Sequence, residues 1–291
     1  MSHNLSEDTS LPISCPSCGY PISLRYCSRC GEERLRPELR SVFYLLKQFL
    51  EDITSVDGKI GSTLQLMLLK PGQFELNFYQ GRRVDFLRPI TFFLLINVLF
   101  VFLSPITDFY VTFVDQLTLQ PYSGWIKEWT LNKIAAMGAT PNEFKVHYDQ
   151  LVKVLARSLI ILQVPIFAVF SYFICYRKSY YFADHLIFSL NLHAWLLIWI
   201  VAAQVPEWVI LTFADLFGFR ESVAGIYFLL LPIGLIAYMA AALRRFWRFN
   251  WWSVAIRVVA LMFAFQVAHS IFRLTQFFLT FYMVQMPEMN I

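Results

Sequence analysis

The sequence predicts an all-α polytopic membrane protein with about five transmembrane helices and a small cysteine-bearing module at its N-terminus. Three observations predict this fold: an apolar composition, long apolar segments after residue 89, and two cysteine pairs near the start of the chain. Of the 291 residues, 57% are hydrophobic and only 15% are charged. A soluble globule could not bury so large an apolar fraction, so most of the chain is expected to lie in lipid.

The module follows a polar, disordered tail at residues 1–14 and contains two Cys-x-x-Cys-Gly turns. A tetrahedral zinc ion prefers four thiolates, and glycine permits the tight turn around it. The spacing therefore predicts a zinc ribbon over residues 15–36 that holds a structural Zn²⁺. Two disulfides or a redox-active pair are alternatives that fit a cytosolic module less well. Four sulfur ligands leave no open position for catalysis, so we expect a folding element that also docks a protein partner. The predicted ligands are Cys15, Cys18, Cys27 and Cys30.

Residues 37–89 form an amphipathic, loop-rich segment before the first predicted span. This segment is interrupted too often to cross a membrane. Turn-forming residues occur at Asp57-Gly58, at Pro71-Gly72 and at Gly81. The pieces between them have about 11 residues or fewer, whereas a hydrocarbon core of about 30 Å needs about 20. We predict a surface or re-entrant segment on the cytoplasmic side. Its first part has the three- and four-residue spacing of an amphipathic helix, at Leu39, Val42, Phe43, Leu46, Phe49, Leu50 and Ile53.

Residues 90–291 are predicted to form the helical transmembrane domain, with an extracytoplasmic helical connection at 107–157. The last span contains Arg257, His269 and Arg273, so its hydrocarbon segment is expected to be short or sheltered by other helices. The five proposed spans run from Pro89 to Ile106, from Ser158 to Tyr176, from Leu186 to Val205, from Val223 to Leu243 and from Ser253 to about Leu274.

The distribution of basic residues predicts a cytoplasmic N-terminus, because cytoplasmic connections are richer in Lys and Arg. The start of the chain also lacks the charged and apolar regions of a signal peptide. The connection at 206–222 holds one basic residue, Arg220, among three acidic ones, and is placed outside. No basic tract suits a nucleic acid. The lipid bilayer is the main expected partner, and a homo-oligomer is possible. The basic connections contain Arg82, Arg83 and Arg88, then Arg177 and Lys178, then Arg244, Arg245 and Arg248.

Two groups of polar residues are candidate sites in the membrane domain. Six arginines on the cytoplasmic side, Arg82, Arg83, Arg88, Arg244, Arg245 and Arg248, would bind an anionic headgroup or phosphate, or would only form the interfacial belt. A possible intramembrane polar site comprises Asp184, His185, His193 and His269. Eight residues along a helix separate His185 from His193 by about 12 Å, so they cannot share a metal by themselves. Packing between helices by hydrogen bonds is the alternative.

A series of short motifs follows the four cysteines along the chain. They are Thr63, Pro71-Gly72, Tyr79, Gly81-Arg82-Arg83, Pro89, Tyr181, His185-Leu-Ile-Phe188, His193 and Leu243-Arg244-Arg245. The order of these motifs resembles the bacterial domain-of-unknown-function 3667 membrane family. The resemblance implies a helical protein of the bacterial inner membrane with a cytosolic ribbon, and no established activity. It also implies a second histidine where this chain has Asn191, which weakens a metal-centred mechanism.

Three functions remain open on the sequence. The first is a non-enzymatic membrane protein that moves or senses a small solute or lipid and uses the ribbon as a docking module. The second is an intramembrane enzyme on a lipid-linked substrate, with Asp184, His185, His193 or His269 as acid or base. The third is a membrane scaffold or assembly factor. No common hydrolase, metalloprotease, nucleotide or dinucleotide motif occurs in the sequence, and no catalytic residue is assigned.

Overall fold

The computed structural model describes residues 13–22, 25–34, 41, 59–103, 110–216 and 220–285, with the backbone alone at 157–158, 204–231 and 285. The predicted amphipathic helix over 39–53 and the break at 57–58 lie outside the described residues. A short two-stranded ribbon precedes a series of helices. The helices are α1 (Lys59–Leu69), α2 (Gln73–Tyr79), α3 (Pro89–Leu103), α4 (Phe113–Thr118), α5 (Ser123–Ala136), α6 (Pro141–Ser158), α7 (Gln163–Ile174), α8 (Phe182–Leu216), α9 (Arg220–Phe246) and α10 (Trp251–Gln285).

The ribbon consists of two similar cysteine turns joined by short strands. Strand β1 (Ile13–Ser14) pairs antiparallel with β2 (Pro21–Ile22), and Tyr26 bridges Glu33 across the second turn. In each turn a glycine donates its backbone N–H to the carbonyl of the first cysteine, over 2.9 Å for Gly19 and 2.8 Å for Gly31. Both glycines have φ near +75°, a conformation that glycine adopts at little cost.

Helix α8 is the central element of the helical body. It packs against α2, α3, α7 and α9, and its 35 residues reach about 52 Å at about 1.5 Å per residue. The Asp184 carboxylate accepts the backbone N–H of Tyr181 over 2.8 Å, which satisfies a free amide at the start of the helix. Nearly every side chain between Ala183 and Leu197 is buried, polar ones included, so the first turns of α8 are enclosed by its neighbours.

Helix α10 lies at the edge of the body and exposes an apolar stripe. Trp252, Ile256, Val259 and Phe263 are each more than two-thirds exposed and recur at three- and four-residue steps, so they share one face. A stripe of this kind is unfavourable in water and favourable in lipid. The far end of α10 instead packs into a second apolar core with the connecting helices α4, α5 and α6, through buried Phe277 and Phe281.

The predicted second span is bent at its start. Thr140 and Glu143 form a capping box at the beginning of α6, and α6 ends in a single turn of 3₁₀ helix at Leu159–Leu162. The segments before and after this break differ in direction by 62°. Residues 141–156 and 159–174 are therefore either one broken span or a re-entrant loop.

Two described helices are long and apolar enough to cross a membrane, over Phe182–Ala203 and Trp251–Val284. The bent pair α6 and α7 would make a third, while α3 is apolar but shorter, at 15 residues. Over the described ranges the chain thus carries two or three candidate spans. The count of about five stays a prediction, and part of α9 is described by its backbone alone.

Candidate functional site

The four cysteine thiols meet at one point between the two turns. Their sulfur atoms all lie within 4.8 Å of one another; Cys15 and Cys30 are 3.5 Å apart, and Cys18 and Cys27 are 3.6 Å apart. A tetrahedral metal with bonds of about 2.3 Å to sulfur requires separations of about 3.8 Å, whereas a disulfide requires about 2 Å. The thiols therefore fit a single tetrahedral metal ion. Among the residues that the structure describes, this is the one group of three or more His, Cys, Asp or Glu side chains that could hold a metal.

The second turn favours the deprotonated form of Cys27 but not that of Cys30. A backbone N–H of Glu32 lowers the pKa of Cys30, but burial and the neighbouring thiols raise it to about 12. Burial alone would raise the pKa of the Cys27 thiol, but backbone N–H groups of Cys30 and Arg29 and the neighbouring thiols lower it to about 7. Because a thiolate is the form that binds a metal, Cys27 is prepared as a ligand by the fold of its own turn.

A buried carboxylate attaches the ribbon to the helical body. Glu32 is only 2% exposed, and its Oε2 accepts the backbone N–H groups of Arg83 over 2.8 Å and Val84 over 3.1 Å. The same oxygen accepts the hydroxyl of Ser17 over 2.6 Å. Hydrogen bonds to an ionised acceptor are among the stronger ones in proteins. The ribbon is thus held on the connection between α2 and α3, immediately before the first predicted span.

The three basic connections lie close together at one end of the helical body. The ring of Tyr180 lies 4.6 Å from that of Tyr79 and 5.2 Å from that of Phe246. The Tyr180 hydroxyl donates to the Phe246 carbonyl over 3.1 Å, and Arg177 lies over the ring of Phe249 at 4.4 Å. Residues from before α3, from between α7 and α8 and from the end of α9 therefore share one aromatic layer.

The predicted headgroup arginines have separate partners in the described contacts. Arg83 lies over the ring of Phe78 at 5.8 Å. Arg244 donates to the carbonyl of Phe249 and lies over the ring of Trp251 at 4.9 Å. Arg245 donates to the carbonyl of Pro71 over 2.8 Å. Arg82 and Arg248 are exposed and Arg88 is half-buried. Headgroup binding by these six residues stays a prediction.

Among the predicted intramembrane site residues, Asp184, His185 and His193 are buried and His269 is half-buried, and each contacts a different neighbour. His185 shares a 3.1 Å hydrogen bond with Ser171, and His193 donates from Nδ1 to the Ser189 carbonyl over 2.7 Å. His269 contacts Gln163 through Nδ1 at 3.3 Å and accepts Nε of Arg273 at 3.3 Å. Phe265 lies between His193 and His269, with ring centroids at 5.7 and 6.5 Å. Asp184 caps α8.

A second buried carboxylate, which sequence reasoning missed, lies on α2. Glu75 is 1% exposed, and neither of its oxygens makes a regular hydrogen bond with a described residue. Burial raises the pKa of this carboxyl to about 7, although its own backbone N–H, the Asn191 amide and Arg245 lower it. Asn191 on α8 is equally buried, and neither end of its amide is paired among the described residues. Tyr238 on α9 lies within electrostatic reach of Glu75.

Of the two missed carboxylates, only Glu75 left a signal in the sequence. Glu75 is the one acidic residue between Gly58 and Arg83, so its position in an apolar surrounding is unusual. Glu32 follows the last Cys-x-x-Cys-Gly turn directly, where it resembles any other charged residue of an exposed ribbon. Its target consists of backbone N–H groups, which have no sequence signature.

Comparison with known proteins links part of this arrangement to a family. No curated protein and no solved structure matched the chain. One family model matches a segment that begins just before α1 and continues almost to the end of α3, so the segment includes Glu75 and the connection held by Glu32. This segment, residues 57–101, matches the family described as "Protein of unknown function (DUF3667)", which confirms the family resemblance over that part of the chain.

Proposed function

We propose that this protein is a multi-pass protein of the bacterial inner membrane that moves or senses a small solute or lipid without converting it chemically. In this proposal five helices cross the membrane and the N-terminus lies in the cytoplasm. The four ribbon cysteines hold a structural zinc ion, and the connecting helices α4 to α6 lie outside the cell. The ribbon links cytoplasmic events to the helical body, through its own contact with that body and through a protein partner.

The observation that carries the proposal is the contact between Glu32 and the backbone N–H groups of Arg83 and Val84. Arg83 and Val84 belong to the connection that leads into α3, which begins at Pro89. A ribbon held only by its metal would not affect the membrane domain. This ribbon satisfies backbone donors of that domain, so a change in its fold or position changes the hydrogen bonding at the start of a span.

A non-enzymatic role is supported by the contacts of the buried histidines. Acid–base catalysis needs groups that converge on one reacting atom at about 3 Å. His185 and His193 direct Nδ1 to Ser171 and to the Ser189 carbonyl respectively, and His269 lies between Gln163 and Arg273. The contacts with Ser171 and Gln163 join α8 and α10 to α7, and those with the Ser189 carbonyl and Arg273 lie within single helices.

The proposal is tested on the full-length protein in lipid nanodiscs, by metal analysis together with hydrogen–deuterium exchange before and after zinc chelation. We expect about one zinc per chain. Chelation should increase amide exchange in residues 13–34 and, in addition, at Arg83, Val84 and the start of α3. Faster exchange in the ribbon with unchanged exchange at Arg83 and Val84 would contradict the link and favour a scaffold.

The other parts of the proposal have their own readouts. Native mass spectrometry of the same sample is expected to detect a co-purified solute or lipid that leaves the protein chemically unchanged. Chemical turnover of that ligand would favour the enzyme hypothesis. A cysteine introduced into the 206–222 connection and labelled from either side of sealed membrane vesicles tests the orientation.

A further inference from the structure

Three arginine side chains from three parts of the chain meet around one buried aromatic residue, Phe249. Arg177, in the connection between α7 and α8, has its guanidinium carbon 4.4 Å from the centroid of the Phe249 ring. Arg257, on α10, has its guanidinium carbon 4.1 Å from the same centroid. Arg244, near the end of α9, donates from Nη1 to the Phe249 carbonyl. Phe249 is only 4% exposed, so a fixed residue holds the three positive charges together.

These three charges have no negative partner in the part of the chain that the structure describes. No described carboxylate lies within ion-pair distance of any of them. Their distances to the Phe249 ring place the guanidinium carbons of Arg177 and Arg257 closer together than the Debye length of about 10 Å at 0.1 M salt. Like charges at this separation repel each other. A bound anion would remove that repulsion.

The guanidinium groups keep N–H donors that an anion could use, since each arginine has five. Arg177 is exposed and makes no side-chain hydrogen bond with a described residue. Arg257 uses Nε for the Ile174 carbonyl and Nη1 for Ser253, so its Nη2 stays available. Arg244 is also exposed. Guanidinium forks bind phosphate oxygens in bidentate fashion, so the chemistry of this arginine group matches a phosphate.

The arginine group lies beside the apolar stripe of α10. Trp252, at the start of that stripe, is 84% exposed, and the stripe continues through Ile256, Val259 and Phe263. Arg257 follows Ile256 directly, so its side chain leaves the helix about 100° from the stripe. A free phosphate would gain nothing from these apolar side chains, whereas the acyl chains of a lipid would cover them. The two features together favour a phospholipid.

We propose that Arg177, Arg244 and Arg257 bind the phosphate of an anionic phospholipid, whose acyl chains lie along the exposed stripe of α10. A zwitterionic phospholipid carries a positive amine as well as the phosphate, and three arginines repel that amine. The inference rests on the proposed function, because that proposal places this end of the helices at a membrane surface. Only Arg244 is shared with the six-arginine site predicted from the sequence, so the structure assigns a different set of residues.

The test is native mass spectrometry of the full-length protein, titrated in detergent with phosphatidylglycerol or with phosphatidylcholine of the same acyl chains. We expect phosphatidylglycerol to reach half-saturation at a concentration about tenfold lower. Equal half-saturation concentrations would overturn the site. Glycerol phosphate, which carries the phosphate without acyl chains, should bind at least about tenfold more weakly than phosphatidylglycerol. Glycerol phosphate that binds as tightly as the lipid would overturn the assignment of a lipid.

Variants separate this arginine group from the general positive charge at the same end of the body. Arg177→Gln removes one charge of the group and no hydrogen bond to a described residue, so the protein should fold. It should weaken phosphatidylglycerol binding by about fivefold and leave phosphatidylcholine binding unchanged. Arg82→Gln is the control, because Arg82 is exposed at the same end and has no contact with Phe249. It should leave both lipids unchanged.

Equal effects of Arg177→Gln and Arg82→Gln would mean that only net charge matters, and would overturn the site. Failure of the lipid site would leave the proposed function standing, because the test of that function depends on zinc and on the amide exchange of Arg83 and Val84. Loss of the link at Arg83 and Val84 would in turn leave the lipid preference measurable, since none of the three arginines belongs to the ribbon or to its contact.

Discussion

The carboxylate of Glu32 accepts the backbone N–H of Arg83 over 2.8 Å, across 51 residues of sequence. The same oxygen accepts the Val84 N–H and the Ser17 hydroxyl, so one atom joins both turns of the ribbon to the helical body. The ribbon therefore packs as a part of the helical body. A metal held by the four cysteines would support that contact indirectly, because Glu32 lies two residues after Cys30.

Removal of the Glu32 carboxylate should release the ribbon from the body while the metal stays bound. In Glu32→Ala two backbone N–H groups lose a charged acceptor. We expect this loss to destabilise the attachment of the ribbon to the helical body by roughly 2–4 kcal/mol. Amide exchange at Arg83 and Val84, measured by mass spectrometry, should accelerate by at least about tenfold. Zinc content should stay near one per chain. Slow exchange at both amides in this variant would show that the contact contributes little.

The neighbouring Glu33 offers the matched control. Its carboxylate pairs with Arg25 over 2.9 Å, and the Arg25 side chain is 59% exposed. Exposed pairs of this kind contribute about 0–1 kcal/mol. Glu33→Ala should therefore leave the exchange of Arg83 and Val84 close to that of the unmodified protein.

Loss of one ribbon thiol should remove the metal, while loss of the fifth cysteine should not. Cys27→Ser replaces a sulfur ligand by a much poorer one, and the remaining three thiols no longer complete a tetrahedron. Cys175 is fully buried at the end of α7, away from the ribbon, so Cys175→Ser should retain about one zinc per chain. Metal analysis of both purified variants checks this, and a full zinc complement in Cys27→Ser would exclude the proposed ligand set.

The sequence predicted the elements that are specified by neighbouring residues. It missed the features that depend on packing against residues far away along the chain. The cysteine spacing correctly predicted that the four thiols come together, because each turn is specified by its own residues. The breaks at Pro71-Gly72 and Gly81 correctly bounded α2, since both glycines adopt positive φ. The bend before α7 and the burial of Glu75 could not be predicted, because each depends on which helices pack against that segment.

The approach of α2 to α9 should depend on the absence of a side chain at residue 72. A Cβ there would lie 2.7 and 2.8 Å from backbone atoms of Ala242, which cannot move as a side chain can. Because of this contact and the positive φ of residue 72, we expect Gly72→Ala to destabilise the protein by roughly 2–4 kcal/mol. The melting temperature in nanodiscs should fall accordingly.

Gly61 on α1 is the control for this substitution. Nothing lies within 4 Å of a Cβ built at this helical position, and alanine is the better helix former by about 1 kcal/mol. Gly61→Ala should therefore leave the melting temperature unchanged or raise it slightly. Equal effects of the two substitutions would contradict the close approach of α2 and α9.

The Glu75 carboxyl should make the stability of the protein depend on pH. Burial raises the pKa of Glu75 from 4.5 to about 7, so the folded protein binds a proton more tightly than the unfolded chain does. Its stabilising contribution is complete below about pH 4.5 and is lost as the pH rises through about 7, with a total of about 3 kcal/mol. The melting temperature should therefore fall between about pH 5 and pH 8.

Replacement of the carboxyl by an amide of similar shape isolates this contribution. Glu75→Gln cannot ionise, so its melting temperature should change less over the same pH range and should exceed that of the unmodified protein near pH 8. A pH profile that is the same in the two proteins would mean that Glu75 does not titrate in this range, because no other change separates them.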